Sequence, residues 1–236
     1  MTETKDPRQN LLAGQLVDFV PCPDTDGFAV LRVGAQEGPM PDFTPGQFTR
    51  LVFEGDGEFQ QRFFTMASAP HQTDAWEFFV VEKSKSGGTA ALATLPPDTP
   101  IWFAKPAGKF TTARATHNKL ILAADGTGIA PYVSMIRHWS THPKAAPAAV
   151  ELWCGFQNPA ELIYQEELLA IQQKAPFPLT IHPEDGDLCQ ALTARLAGAT
   201  ADASVFLCGN PTFIQAVEAW ADDTPWKEVL VFERWW

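Results

Sequence analysis

Lys119-Leu120-Ile121-Leu122-Ala123-Ala124-Asp125-Gly126-Thr127-Gly128-Ile129-Ala130-Pro131 is the stretch on which the reading of the fold turns. An apolar strand, Lys119–Ala124, runs into a glycine–threonine turn and then into a helix through Pro131–Ser140. Proline suits the first turn of a helix, where its missing N–H costs nothing. From here to the end of the chain, strands alternate with helices. Strand Val150–Gly155 leads to helix Pro159–Lys174, and strand Pro178–His182 to a helix near Ala191–Ala197. Strand Ser204–Cys208 leads to helix Pro211–Ala221, and Val229–Phe232 closes the series. Five strands in such alternation predict a doubly wound parallel sheet, with ligands at the carboxyl ends of the strands.

Before that stretch the period is different. Leu11–Asp18, Phe28–Val33, Gln47–Phe53, Gln60–Met66, Trp76–Val81 and Ile101–Ala104 are short runs rich in Val, Phe and Leu. Proline, glycine and aspartate separate them, as in Pro45-Gly46 and Pro96-Pro97-Asp98. They predict a small antiparallel barrel or sandwich. One short helix interrupts them, with Thr89 as its expected N-cap. The polar stretch Thr111–Asn118 separates the two patterns, so the expectation is an α+β chain of two domains, 1–113 and 114–236.

Composition narrows the class. A chain of 236 residues with 45% hydrophobic and 19% charged residues is of globular type. No segment has the uncharged apolar length that crosses a bilayer. The first residues, Met1–Asp6, are polar and read as no signal peptide, so a cytoplasmic location without a membrane partner is expected. A net charge of −11 disfavours nucleic acid as a partner. The four cysteines, at 22, 154, 189 and 208, have no paired spacing. They argue against a disulfide framework, a zinc site or an iron–sulfur cluster, so no metal is expected and any cluster would come from a partner.

Several short motifs have functional readings, each beside a plainer one. In Arg62-Phe63-Phe64-Thr65 an arginine stands next to flat rings, a combination that can hold a phosphate and pack a planar ligand. An ordinary barrel strand with an arginine at its rim also satisfies it. Ser86-Gly87-Gly88-Thr89 offers free amides at a helix start, or a plain loop-to-helix join. Gly126-Thr127-Gly128 lets backbone approach a pyrophosphate, although it is not a G-x-G-x-x-G. Cys208-Gly209-Asn210-Pro211 puts a thiol at a strand's carboxyl end, where a buried cysteine is also commonplace. Glu233-Arg234-Trp235-Trp236 ends the sequence on two large rings that need something to cover.

Together with Pro45-Gly46-Gln47-Phe48 and Glu161-Leu162-Ile163-Tyr164, and in this order, these motifs resemble the ferredoxin–NADP reductase family, in particular bacterial members ending in an aromatic residue and tryptophan. The resemblance implies an FAD-binding β-barrel followed by a nicotinamide-nucleotide domain. Arg62 and Thr89, with the Gly87–Gly88 turn, would hold the FAD pyrophosphate, and Phe63 and Phe64 would pack against the cofactor. Thr65 would contact the flavin near N5. Trp235 would cover the isoalloxazine ring, and Trp236 the adenine. Cys208 and Glu233 would border the hydride-transfer pocket, with Asn210 beside them. Gly126, Thr127 and Gly128 would line the nucleotide phosphates.

The implied activity is electron transfer between NAD(P)H and ferredoxin or flavodoxin, by a monomer. An NADH-dependent reductase of free flavin or of an oxygenase, and an FAD-holding sensor that turns over poorly, are the alternatives. Lys83, Lys85, Lys105 and Lys109 would dock an acidic carrier, unless they are simply a solvated loop face. Three departures from the family matter. Phe64 stands where the family has tyrosine, and Trp235 where bacterial relatives tend to have tyrosine. Where NADP-selective members carry arginines, this chain has Gly155-Phe156-Gln157-Asn158-Pro159 and His182-Pro183-Glu184-Asp185-Gly186. Glu184 and Asp185 would repel a 2′-phosphate, whereas a carboxylate suits a ribose 2′-hydroxyl. The residues therefore favour NADH, and the family NADPH.

Overall fold

The computed structural model describes residues 6–22, 27–55, 57–81, 88–156 and 164–233. Two sheets organise the chain. The first contains β1 (Leu12–Pro21), β2 (Phe28–Ala35), β3 (Phe48–Gly55), β4 (Glu58–Thr65), β5 (Ala75–Val81) and β6 (Pro100–Phe103), with the short helix α1 (Gly88–Thr94) before β6. Its strands pair antiparallel in the order β4-β3-β6-β1-β2-β5. The sheet curls until its outer strands touch at the Met66–Phe78 bridge. Leu16, Leu31, Leu51, Phe53, Trp76 and Phe103 fill the interior. They alternate with outward residues, as a strand period of two requires.

The second sheet contains β7 (Lys119–Asp125), β8 (Ala149–Gly155), β9 (Leu179–Glu184), β10 (Ser204–Cys208) and β11 (Leu230–Phe232). All pair parallel, in the order β11-β10-β7-β8-β9. The helices are α2 (Ala130–Thr141), α3 (Gln165–Lys174), α4 (Leu188–Leu196) and α5 (Pro211–Ala221). β7 shows why both faces are covered. Leu120, Leu122 and Ala124 pack with α2 and α3, whereas Ile121 and Ala123 pack with α4 and α5. The doubly wound arrangement expected from the strand–helix alternation is present.

Element boundaries differ in instructive ways. β9 continues through Pro183 to Glu184, which an edge strand tolerates because one side needs no ladder donor. α4 begins at Leu188 because Asp187 caps it, accepting from the Gln190 N–H at 3.0 Å. Thr89 lies inside α1, which begins at Gly88, and so is not its N-cap. The helix expected from Pro159 is described only over Gln165–Lys174, the residues before Tyr164 lying outside the described ones.

The halves are joined through α2. Ala67, Phe79 and Phe110 from the antiparallel half share one core with Tyr132, Val133 and Ile136. Gly46, in the left-handed region at φ +96°, lets the Pro45–Gly46 turn close onto the Phe110 carbonyl, where a Cβ would collide. Ser134 donates to the Ser68 carbonyl at 2.7 Å. Arg137 donates to the Ala67 carbonyl at 2.9 Å and to Glu77 on β5 at 2.8 Å. A two-pronged contact at 2.7 Å ties it to Glu167 on α3. Tyr164 donates to Glu77 at 3.1 Å, and Arg32 pairs with the other carboxylate oxygen at 3.2 Å.

Burial pushes the Glu77 carboxyl up, but the Arg137 charge and hydrogen bond, then Tyr164 and Arg32, outweigh it, and the net shift is downward. A carboxylate depressed in the folded state stabilises above its unfolded pKa, and that stability is lost as pH falls through the folded value. Arg137→Met should cost about 3 kcal/mol, the low end for breaking a buried pair because Arg32 and Tyr164 still reach Glu77; urea unfolding measures it. The stability gap between wild type and Glu77→Gln should be full above about pH 5 and shrink below the ordinary glutamate value of about 4.3. A gap that stays constant down to pH 3 would contradict the assignment.

Candidate functional site

The carboxyl ends of β7 and β10 face the end of β4 across a cleft of ≈ 670 Å³, within the roughly 300–1,000 Å³ usual for ligand sites. β4 brings Arg62, Phe63, Phe64 and Thr65 to one wall. Its pairing with β3 sets their register, with Arg62 opposite Leu51 and Thr65 opposite Phe48. Phe64 leans back on Phe78 of the barrel core, ring centres 5.8 Å apart. Phe63 is 52% exposed and meets Phe48 edge-on at 5.9 Å. Thr89 is buried at the same wall.

The opposite wall is made of two loops packed backbone to backbone. Gly126–Ile129 forms a 3₁₀ turn after β7, and Cys208-Gly209-Asn210 follows β10. A Cβ on Gly128 would overlap the Cys208 carbonyl, and one on Gly209 the Asp125 carbonyl. Gly128 therefore lets the two loops approach each other while also lining the cleft. Gly126, at φ +56° with open space beside it, is the glycine that leaves room in the cleft. Beneath the loops, Tyr132 donates to the Phe206 and Ala123 carbonyls at 2.8 and 3.2 Å, holding β7 and β10 level. Asn210 caps α5, accepting from the Thr212 N–H at 2.9 Å, while still lining the cleft.

Electrostatics separate the two candidate acid–base groups. The Cys208 thiol is pushed up to about 12 by burial and then by the Glu233 charge, so it is a neutral thiol at physiological pH. Burial also raises the Glu233 carboxyl, with Arg114 pulling the other way. Arg114 donates to the Phe232 carbonyl at 3.3 Å and so anchors the end of the strand just before Glu233. Lys105 and Lys109 are exposed on the segment that includes Gly108, whose Cβ position lies 3.7 Å from the Glu233 carboxylate.

The structure thus brings Arg62, Phe63, Phe64, Thr65, Thr89, Gly126, Thr127, Gly128, Cys208 and Asn210 to one cleft, although β4, β7 and β10 are far apart in sequence. Gly88 is described at the start of α1. Gly87, Lys83, Lys85, Trp235 and Trp236 lie outside the described residues. The sequence reading missed Phe28 and Phe79, stacked at 5.1 Å and 20° on the cleft's barrel side, because only the β2–β5 pairing brings them together. A cleft with an arginine, a hydroxyl, several rings and an open glycine fits a phosphate-bearing planar cofactor. On the far side, Glu184 ends β9 opposite Gly155, and Arg195 of α4 is engaged with Glu151 at 2.6 Å.

Residues 122–219 match the family model of the oxidoreductase NAD-binding domain. The chain is 27% identical over 217 residues to the reductase component of propane 2-monooxygenase from Mycolicibacterium smegmatis, covering 85% of this chain and 61% of that protein. It is 28% identical over 192 residues to ferredoxin–NADP reductase B of Sorangium cellulosum, covering 74% and 77%. The chain spans between 51% and 61% of the length of the oxygenase reductases it matches first. Its fold is shared with a ferredoxin–NADP⁺ reductase from Neisseria gonorrhoeae solved with bound FAD and NADP. The TM-score is 0.77 at 18% identity, over 95% of this chain and 98% of that one. The two sheets, the nucleotide-domain match and these relatives agree: residues 122–219 are of the oxidoreductase NAD-binding type, and the whole chain has the fold of the ferredoxin–NADP reductases it is similar to.

Proposed function

We propose that the protein is an FAD-dependent oxidoreductase that passes electrons between a nicotinamide dinucleotide and a small one-electron carrier. The observation that supports this most directly is the single cleft shared by Arg62–Thr65, Gly126–Gly128 and Cys208–Asn210. In this reading residues 1–113 form the flavin domain and 114–236 the nucleotide domain. Bound flavin supplies the conversion of two-electron hydride transfer into single-electron steps. Arg62, with Thr89, Gly87 and Gly88, would hold the cofactor's pyrophosphate. Phe63 and Phe64 pack on its rings, and the Thr65 hydroxyl orients the ring edge. The neutral Cys208 thiol presents a polar surface without negative charge, which would repel an arriving hydride. Gly126 and Thr127 seat the nucleotide phosphates, and Glu233 is the proton-exchanging group at the rim. Trp235 and Trp236 would cover the flavin and adenine faces. Lys105 and Lys109, with Lys83 and Lys85, dock an acidic carrier such as ferredoxin or flavodoxin, by attraction that salt weakens.

A second reading concerns the carrier and the nucleotide. Relatives that are oxygenase reductase components favour an oxygenase component as acceptor, and Glu184 at the end of β9 favours NADH as donor. A carboxylate near a 2′-phosphate costs roughly 1–4 kcal/mol at contact. Among the described residues no helix is long and apolar enough to cross a membrane.

Anaerobic mixing of the flavin-loaded protein with NADH and NADPH should show NADH reducing the flavin at least as fast. Glu184→Arg should move the ratio of rates at least tenfold toward NADPH, about 1.4 kcal/mol. Flavin left oxidised by both nucleotides would overturn the enzymatic reading in favour of a flavin-holding module. Cys208→Ala should slow reduction about tenfold or more in stopped flow with flavin content unchanged; an unaltered rate would remove Cys208 from the reaction. Arg62→Ala should instead lower flavin affinity, read from apoprotein titration.

A further inference from the structure

On the side of α2 that meets the barrel half, His71, His138 and His142 come together. Each offers a ring nitrogen, and these three atoms lie within 4.8 Å of one another. His138 and His142 are four residues apart at the carboxyl end of α2, the spacing that puts two side chains on one helix face. Their rings stack at 4.6 Å and 17°. His71 comes from the loop after β4, and its ring lies 5.8 Å from that of His142. The cluster borders a cleft of ≈ 460 Å³ lined by Ala69, His71, Gln72 and Thr141, separate from the one described above.

We propose that His71, His138 and His142 bind one late first-row divalent metal ion, of the Zn²⁺, Ni²⁺ or Cu²⁺ class, which clips the barrel half to the α/β half.

The chemistry of the three groups favours such an ion. Three imidazoles with no carboxylate in the cluster suit Zn²⁺, Ni²⁺ and Cu²⁺ and not Mg²⁺ or Ca²⁺. Three protein ligands leave a fourth position for water. The His142 Nδ1 lies 3.3 Å from the His138 carbonyl and 2.9 Å from the Thr141 hydroxyl. With the proton on Nδ1 donated to that carbonyl, Nε2 keeps its lone pair, the usual outer-shell arrangement of a metal-binding histidine. Thr141 also stands 3.4 Å from the His71 Nδ1, so one hydroxyl touches two of the three rings. The His138 Nδ1 is buried and has no hydrogen-bond partner. The neighbouring Arg137 charge is already taken up by Glu77 and Glu167.

Nitrogens up to 4.8 Å apart must close to about 3.3 Å around a tetrahedral ion with bonds of about 2.05 Å. His71 and His142 are exposed and can turn to do so. Because His71 belongs to one half and the other two to α2, binding would fix the two halves against each other, beside the Arg137–Glu77 contact.

The test is calorimetric titration of the untagged, flavin-loaded protein with Zn²⁺, repeated with Co²⁺ so that its absorption reports the ligand geometry. Wild type should bind one equivalent and gain several degrees in thermal midpoint. His71→Asn and His142→Asn, both at exposed positions, should each weaken binding at least tenfold and abolish the gain, with the metal-free midpoint unchanged. Failure of wild type to bind, or binding that survives both substitutions, would overturn the site. Loss of binding in Cys22→Ser or Cys189→Ser would also overturn it, by placing the ion on a half-buried thiol. Binding that depends on His142 but not on His71 would overturn the clip between halves.

Discussion

Two charges withdrawn from water are tolerated only where each satisfies the other, and the Arg137–Glu77 pair meets that condition between the two halves of the molecule. Each side chain keeps only 13% of its surface exposed. Arg137 gives three further hydrogen bonds, two to Glu167 and one to the Ala67 carbonyl. Glu77 has its other oxygen occupied by Arg32. A network so fully satisfied has few alternative arrangements, since displacement of either half would strand a buried charge. The apolar core shared by Phe79, Phe110 and Tyr132 supplies area without direction; the ion pair supplies direction.

The cleft depends on that fixed junction. β4 and the loops after β7 and β10 belong to different sheets, and nothing local holds them at a ligand's distance from one another. α2 does so. Its first turn continues from the Gly126–Ile129 turn at the cleft, and its last two turns carry Arg137 and the histidines at the far side. One helix thus spans from the loops at the cleft to the contact between the two halves. The burial that makes Cys208 a neutral thiol depends on the same arrangement, because the loops can close only where Gly128 and Gly209 have no side chain.

The histidine cluster shows how a site can be invisible to spacing rules. Paired cysteines, the usual spacing signal for a metal site, do not occur in this chain. His138 and His142 have helical spacing, but a helix can present two histidines for no reason beyond solvation. The third group, His71, lies 67 positions before His138 in sequence and joins them only through the docking of β4's loop on α2.

The sequence by itself determined the order of the two architectures. Strand periods of two and the later strand–helix alternation are set by which residues avoid water, and burial patterns of this kind are local in the chain. Arg62–Thr65, the Gly126–Gly128 turn and the Cys208–Asn210 turn were legible for the same reason, each being a short contiguous motif. Their resemblance to one family supplied the shared cofactor, which no spacing rule gives. Only the tertiary structure decided which glycine has open space beside it and which could not carry a side chain, since that depends on the carbonyl across from it. It alone revealed the Phe28–Phe79 stack and the Arg137–Glu77 junction. Those contacts join residues 51 and 60 positions apart, and their energies depend on burial and geometry that exist only once the two sheets have docked.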